Sequence, residues 1–376
     1  MKALFLVFHG FLDHNGISKK IFYQVDGMRQ CGIETKLSYL LIDKEGIHKR
    51  MADNTVVENY GRGYFAKIKK RICYNSLLNY IIHEKIELVY VRYVHNANPF
   101  LIHFFQSLNK AKVKVVMEIP TYPYDMEYKG LSLDYQRILF FDKCFRKSLV
   151  KNIYKIVTFS DYNQIWGRPT ICISNGIDFN QIKLKTKKNT NPMELHLIGV
   201  ATIHPWHGFD RLIEGLAIYL KDNKPLSIYF HIVGEGVPVI VEGYKKLVKS
   251  NNLSEHVIFH GPKFGKELDD IFELADLGIG SLARHRCNIT KIKTLKNREY
   301  AARGIPFIYS EIDDDFENMP YIFKVPADDS PINIDDIISF YQKNNFISEK
   351  IRSTIENKLS WKEQMQIVLN DINKSN

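Results

Sequence analysis

Residues 278–311 read GIGSLARHRCNITKIKTLKNREYAARGIPFIYSE, and the order of their parts decides the fold. A strand ends at Gly280, a polar and basic loop follows, a helix is predicted over 292–303, and a second strand over 305–309. Strand, loop, helix and strand in that order form one unit of a parallel α/β sheet. The start of the helix, near Thr294 and Leu295, carries unpaired backbone N–H groups and a partial positive charge, a natural seat for a phosphate. Glu299 lies two turns in, on the broad face of Lys291, Leu295 and Lys296. It is placed to accept hydrogen bonds from a ribose diol; its plainer reading is a solvated salt-bridge partner among lysines.

The same alternation extends outward in both directions. Upstream, strand 195–200 (LHLIGV), helix 208–221, strand 227–233 (SIYFHIV), helix 237–251, strand 257–260, helix 265–275 and strand 277–280 complete a doubly wound sheet. Helices at about 347–358 and 360–373 end the chain. Before Lys183–Pro192 (KLKTKKNTNP), read as a linker, a first series runs separately. It has a strand at 2–8, a loop at 10–16, a helix at 17–31, and strands at 34–41, 87–91, 113–118 and 155–159. Basic amphipathic helices are predicted at 65–82 and 136–152. The expected domains are therefore 1–182, a linker at 183–192, and 193–358, with a C-terminal helix at 359–376 free to pack back on the first domain. Each is Rossmann-like, and ligands of such sheets bind at the carboxyl ends of the strands, which suits a cleft joining two substrates.

Composition narrows the class. The 376 residues suffice for two buried cores, and 45% hydrophobic with 25% charged residues is a globular balance. No apolar run is long enough for a membrane span and no signal-peptide pattern is seen, so a cytoplasmic protein is expected. Five unpatterned cysteines argue for free thiols over disulfides or a zinc site. The charge is lopsided. Residues 1–180 hold 26 Lys and Arg against 16 Asp and Glu, and residues 181–376 hold 26 against 26. The whole excess of +10 thus sits in the first half. It points to an anionic partner, such as a membrane face or a lipid-pyrophosphate acceptor. No nucleic-acid-binding motif accompanies it, so nucleic acid is not expected.

LKNREYAARGIPFI (295–308) resembles the signature helix of retaining glycosyltransferases of the GT-B fold, in the large family 4 class. Those enzymes carry E-x7-E; Glu299 matches the second glutamate, which binds ribose in the family, and Lys291 stands where the first would be. HNGISKK (14–20) resembles the first-strand loop, with Gly16 in the place that lets backbone approach the donor diphosphate. ISNGID (173–178) resembles the motif that opens the second domain. HPWHGFDRLIEGL (204–216) resembles the loop and helix that meet the donor phosphates, with Thr202 and His207 where most members have Arg and Lys. The variant resembles a bacterial polysaccharide-synthesis subgroup. GEG (234–236), with Gly234, resembles the nucleotide-side loop. EIPTYPYD (118–125) stands where many members place a His-Asp pair; Glu118, Tyr122 and Asp125 are its polar candidates.

The resemblance implies a GT-B fold and transfer of a hexose from a nucleotide-sugar, with UDP-sugar favoured, to a glycan acceptor that is lipid-linked, with retention at the anomeric carbon. It implies no cofactor and no metal: charge on the leaving diphosphate would be met by His207 and Lys296, backed by Thr294–Leu295 and Arg284. Asp313–Asp315 is read as a solvated turn. Glu118 is the catalytic candidate of the first domain. The expected setting is the cytoplasm or the inner membrane face. The alternatives are a non-catalytic glycosyltransferase-like binding subunit and a sugar-nucleotide epimerase of the same fold.

Overall fold

The computed structural model describes residues 1–11, 16–128, 132–187, 190–222 and 224–374. They form two compact units, 1–174 with 361–376, and 175–360.

The first unit holds β1 (Lys2–Leu6), α1 (Gly16–Gln30), β2 (Glu34–Ile42), β3 (His48–Ala52), β4 (Thr55–Gly61), α2 (Gly63–Ile72), α3 (Asn75–His83), β5 (Leu88–Arg92) and α4 (Pro99–Lys110). It continues with β6 (Lys114–Ile119), α5 (Leu133–Leu149), β7 (Lys155–Thr158), β8 (Gln164–Ile165) and β9 (Arg168–Cys172). The strand order is β4-β3-β2-β1-β5-β6-β7-β9-β8. From β2 to β9 the pairs are parallel, while β3, β4 and β8 add antiparallel edges. β1 is buried from Ala3 to Leu6 and β5 throughout, as strands covered on both faces require. The helix predicted over 65–82 is two helices, because Cys73 is extended and turns Tyr74, Leu77 and Ile81 onto the sheet.

The second unit holds β10 (Glu194–Val200), α6 (Phe209–Lys221), β11 (Ser227–Val233), α7 (Pro238–Ser250), β12 (Val257–Gly261), α8 (Gly265–Leu274) and β13 (Leu277–Ile279). It continues with α9 (Leu295–Arg303), β14 (Phe307–Tyr309), β15 (Ile322–Lys324), α10 (Ile334–Lys343) and α11 (Ser348–Glu356). All its strands are parallel, in the order β12-β11-β10-β13-β14-β15. The strand order reverses between β10 and β13, so their carboxyl ends open the crevice where such sheets take ligands.

The chain passes between units at Ser174–Asn175, before the expected 182, and returns at Ser360–Trp361. Residues 175–182 belong to the second unit, with Ile177 and Phe179 against its core. The described part of the expected linker is docked as well: the N–H groups of Thr186 and Lys187 donate to Glu273 of α8, and the N–H of Lys185 donates to the Arg303 carbonyl. After the return, α12 (Trp361–Asn373) lies in the first unit, where Trp361, Met365, Val368 and Leu369 join Ile21, Val25 and Met28 of α1 in one core.

Candidate functional site

The site is built around the carboxyl ends of β10, β13 and β14. After β10 the chain enters the 200s loop, which is held from behind by the turn after β11: Ile203 N–H donates to the Glu235 carbonyl at 2.7 Å. Gly234 has φ +125°, and a Cβ there would meet the Ala201 carbonyl oxygen at 1.9 Å. Its glycine therefore answers to this backbone approach. The loop then makes the 3-10 turn Pro205–His207 and the left-handed Gly208, where a Cβ would come within 2.9 Å of the side chains of Leu282 and Ala283. Leu282 N–H donates to the His207 carbonyl at 3.1 Å, tying the loop after β10 to the loop after β13.

His207 is buried at that junction. His204 N–H donates to its Nδ1 at 3.1 Å, so in the neutral ring the proton sits on Nε2. Burial, with Lys296, Arg284 and His204 adding like charge, pushes its pKa well below the ordinary 6.5. This direction runs against the fixed cation expected of His207, since its surroundings disfavour the charged ring.

α9 starts at Leu295, not Ile292, because Ile292 N–H donates to the Ile312 carbonyl at 2.8 Å and keeps that stretch extended. Thr294 occupies the N-cap, but its hydroxyl caps nothing. The Thr294 Oγ1 is shut off from solvent and has no hydrogen-bond partner among the described residues. The same holds for Lys296 Nζ, Ser281 Oγ and Glu311 Oε2. Burial, then Arg284, drives the Lys296 pKa well below 10.5, with Glu311 opposing. Burial also raises the Glu311 carboxyl, against hydrogen bonds from Ser310 and from the Arg284 N–H at 2.5 Å. The Arg284 guanidinium lies 5.3 Å over the Trp206 ring, which stacks on His204 at 4.1 Å. Buried polar atoms without partners are costly, and three potential donors among them, Thr294 Oγ1, Lys296 Nζ and Ser281 Oγ, lie at the start of α9 and directly after β13. Ser281 and Glu311 escape motif reading because they belong to no pattern; their place directly after β13 and β14 is the signal that finds them.

The other candidates are distributed as follows. Glu299 lies farther along α9, and its Oε1 accepts from Arg303 Nε at 3.0 Å and a terminal nitrogen at 2.9 Å, leaving Oε2 outside the pair. Arg303 is anchored in turn on Asp269 at 2.7 Å. Lys291 faces Asp314 at 3.5 Å. The expected solvated turn at Asp313–Asp315 is corrected: Asp313 is fully buried on Arg298 and Asn297. Among the described residues no group of three or more His, Cys, Asp or Glu is placed to hold a metal ion.

In the first unit, Gly16 opens α1 with φ in the ordinary range and open space around it, and His14 and Asn15 of its motif lie outside the described residues. Glu118 ends β6 fully buried. Its carboxylate accepts from Gln24 Nε2 at 2.5 Å, Tyr90 hydroxyl at 2.7 Å and Arg92 at 2.5 Å, with Lys20 Nζ at 3.7 Å. Burial would raise its pKa, but Lys20, Arg92 and these donors outweigh it and hold the group low. The catalytic part expected of Glu118 thus meets a carboxylate that is fully enclosed and paired with two buried cations. Asp125 is likewise engaged, accepting from Arg146 at 2.7 and 3.2 Å.

No protein-family model matches the sequence, and no curated protein matches it. Solved structures do. The chain is similar to HepE from Anabaena in complex with UDP, at 15% identity and a TM-score of 0.59, covering 100% of both chains. It is similar to sucrose-phosphate synthase from Thermosynechococcus elongatus, at 14% identity and a TM-score of 0.67, covering 100% of this chain and 99% of the other. A glycosyltransferase from Rickettsia africae matches at 12% identity and a TM-score of 0.66, with 99% and 98% covered. The fold is GT-B, two Rossmann-like α/β units in one chain.

Proposed function

We propose that this chain is a glycosyltransferase that takes a sugar from a UDP-sugar and gives it to a glycan acceptor with retention of anomeric configuration. One observation carries the reading: a buried, unpartnered Lys296 Nζ beside Arg284 and the uncapped start of α9, at the strand-order reversal of the second sheet. A diphosphate supplies the charge that this arrangement lacks. Lys296, the first N–H groups of α9 and Thr294 Oγ1 hold the phosphates, Arg284 adds charge, and His207 donates from Nε2. Glu299 Oε2 takes the ribose hydroxyls while Oε1 stays with Arg303. The bond between the anomeric carbon and the phosphate oxygen breaks as the acceptor oxygen bonds to that carbon on the same face. The acceptor proton leaves with the diphosphate, whose charge the named residues stabilise without a metal. Further support comes from HepE, which has been crystallised with UDP, with UDP and glucose, and with UDP-glucose. The acceptor in this reading is a lipid-pyrophosphate-linked glycan met at the cytoplasmic membrane face, as in bacterial surface polysaccharide synthesis; the excess charge of residues 1–180 favours such an anion.

Calorimetry tests the central contact. A charge-assisted hydrogen bond contributes about 1.5–3 kcal/mol, so Glu299→Ala is expected to weaken UDP binding roughly 10- to 100-fold. Unchanged affinity removes Glu299 from the site. The enclosure of Glu118 favours a second reading, a donor-binding subunit without transfer activity. Release of free sugar from UDP-sugar by the purified chain separates the two.

A further inference from the structure

The two basic helices of the first unit do bury residues against its core, Ala66 from α2 and Leu139 and Leu149 from α5. A soluble helix would then present polar side chains outward. These present large apolar side chains among their charges. On α2, Tyr64 is 74% and Phe65 75% exposed; on α5, Leu133 is 75%, Phe140 64% and Phe141 58% exposed. α2 and α5 each pack beside α4, whose first turn adds an exposed Phe100. Such an apolar surface marks an interaction site.

The charges around it say what it meets. On α2 the exposed neighbours are Lys67, Lys69 and Arg71, with no acid anywhere in the helix; on α5 they include Arg137 and Lys147, with Asp134 the acidic residue of the outward face. Lysine is depleted from the core of protein interfaces. Aromatic rings interleaved with long cations are instead the pattern of the bilayer interface, rings among the acyl chains and ammonium groups among phosphates. We infer that α2, α5 and the start of α4 form a docking surface for an anionic lipid bilayer, with Tyr64, Phe65, Phe140 and Phe141 inserting and the lysines and arginines reading headgroup charge. No helix of the described residues is long and apolar enough to cross the membrane, so the attachment is reversible and lateral. The inference deepens the proposed function by naming where the acceptor's membrane is met, and it involves none of the nucleotide-site residues.

Co-sedimentation of the full chain with vesicles tests it. The chain is expected to pellet with phosphatidylglycerol vesicles and to stay in solution with phosphatidylcholine vesicles. Each inserted ring is worth about tenfold in partitioning, so Phe65→Ser with Phe141→Ser lowers it roughly a hundredfold. Each basic residue is worth about fivefold, so Lys67→Ala with Lys69→Ala lowers it roughly 25-fold and reduces its salt sensitivity. UDP affinity by calorimetry stays at the parent value in all four substitutions, which also reports that the chain is folded. Equal recovery in the supernatant with both lipids overturns the inference. So does pelleting that the two phenylalanine replacements leave intact, since charge alone would then account for it. A dimer in sedimentation velocity that these replacements dissolve, without vesicle binding, assigns the face to a second copy and also overturns it. If UDP fails to bind while vesicles do, the functional reading falls and the docking surface stands.

Discussion

The carboxyl ends of the two sheets handle buried charge in opposite ways. At the end of β6 in the first unit, Glu118 is enclosed by Gln24, Tyr90, Arg92 and Lys20, and every cation has its anion within reach. At the ends of β10 and β13 in the second, the Lys296 Nζ is shut off from solvent without a hydrogen bond, Thr294 caps nothing, and Ser281 has no partner for its hydroxyl. Among the side chains around Glu118 the buried Gln24 Oε1 lacks a partner, but every charge is paired, and such a network leaves a charged ligand little to bind and fixes the fold around it. An unsaturated one carries a standing cost that an incoming group of the right charge removes. The contrast separates a structural cluster from a binding site more sharply than residue type does, since both contain a buried lysine, an arginine and a glutamate.

The largest effect that would sharpen the contrast is on stability. Removing one member of a buried, paired network strands its partners, and Glu118→Ala leaves Arg92 and Lys20 buried without their anion. A loss of about 3–5 kcal/mol is expected in urea unfolding. A variant as stable as the parent would mean that the network is not what holds the ends of β5 and β6.

Lys296→Met should behave in reverse. It replaces an unpartnered buried amine by an apolar chain of similar length, so the free protein should unfold at the same or higher denaturant concentration. UDP should bind about 10- to 100-fold more weakly, because a charge-assisted contact to phosphate is gone. Destabilisation of the free protein by more than about 1 kcal/mol would place Lys296 in the structural class with Glu118.

How much of this was legible beforehand depends on whether a feature is local. β1, β10 and β11 are mostly apolar runs, as covered parallel strands require, and they stand within two residues of where the sequence puts them. The hairpin of β3 and β4 went unseen because HKRMA and TVVENYG carry charge where strand reading looks for apolar alternation. The lysines of 183–187 suggest a free tether, but composition says nothing of backbone N–H groups, and these are what Glu273 holds. Asp313 reads as a solvated turn residue in sequence because its partner Arg298 lies fifteen positions earlier. The site divides along the same line. Thr294, Leu295 and Lys296 follow from a helix start that the sequence announces; Ser281 and Glu311 come to the same place through strand order alone.

The smallest effect tests whether the open charge at the second site is neutral until a ligand arrives. His207 has its folded pKa below the ordinary 6.5, through burial first and then Lys296 and Arg284. Between those two values the unfolded chain binds more protons at this ring than the folded one. Stability from His207 is therefore fully present above 6.5 and is lost as pH falls toward the folded pKa, by at most about 1.4 kcal/mol per pH unit. Other buried histidines, His95 and His231 among them, titrate low as well, so the readout is a difference. His207→Asn keeps a neutral acceptor for the His204 N–H and removes the titration. In urea unfolding at pH 7.5 and 5.5, the parent should lose more stability than the variant in the absence of UDP. Saturating UDP should shrink that difference, because a bound phosphate favours the protonated ring and offsets the effect of burial on its pKa. Calorimetry near pH 6 in two buffers of different ionisation enthalpy should then show proton uptake on UDP binding, smaller in His207→Asn. Parallel pH dependence of parent and variant, with equal proton uptake, would detach His207 from the anion site. The loop after β10 would then be a packing feature like the Gly234 turn behind it.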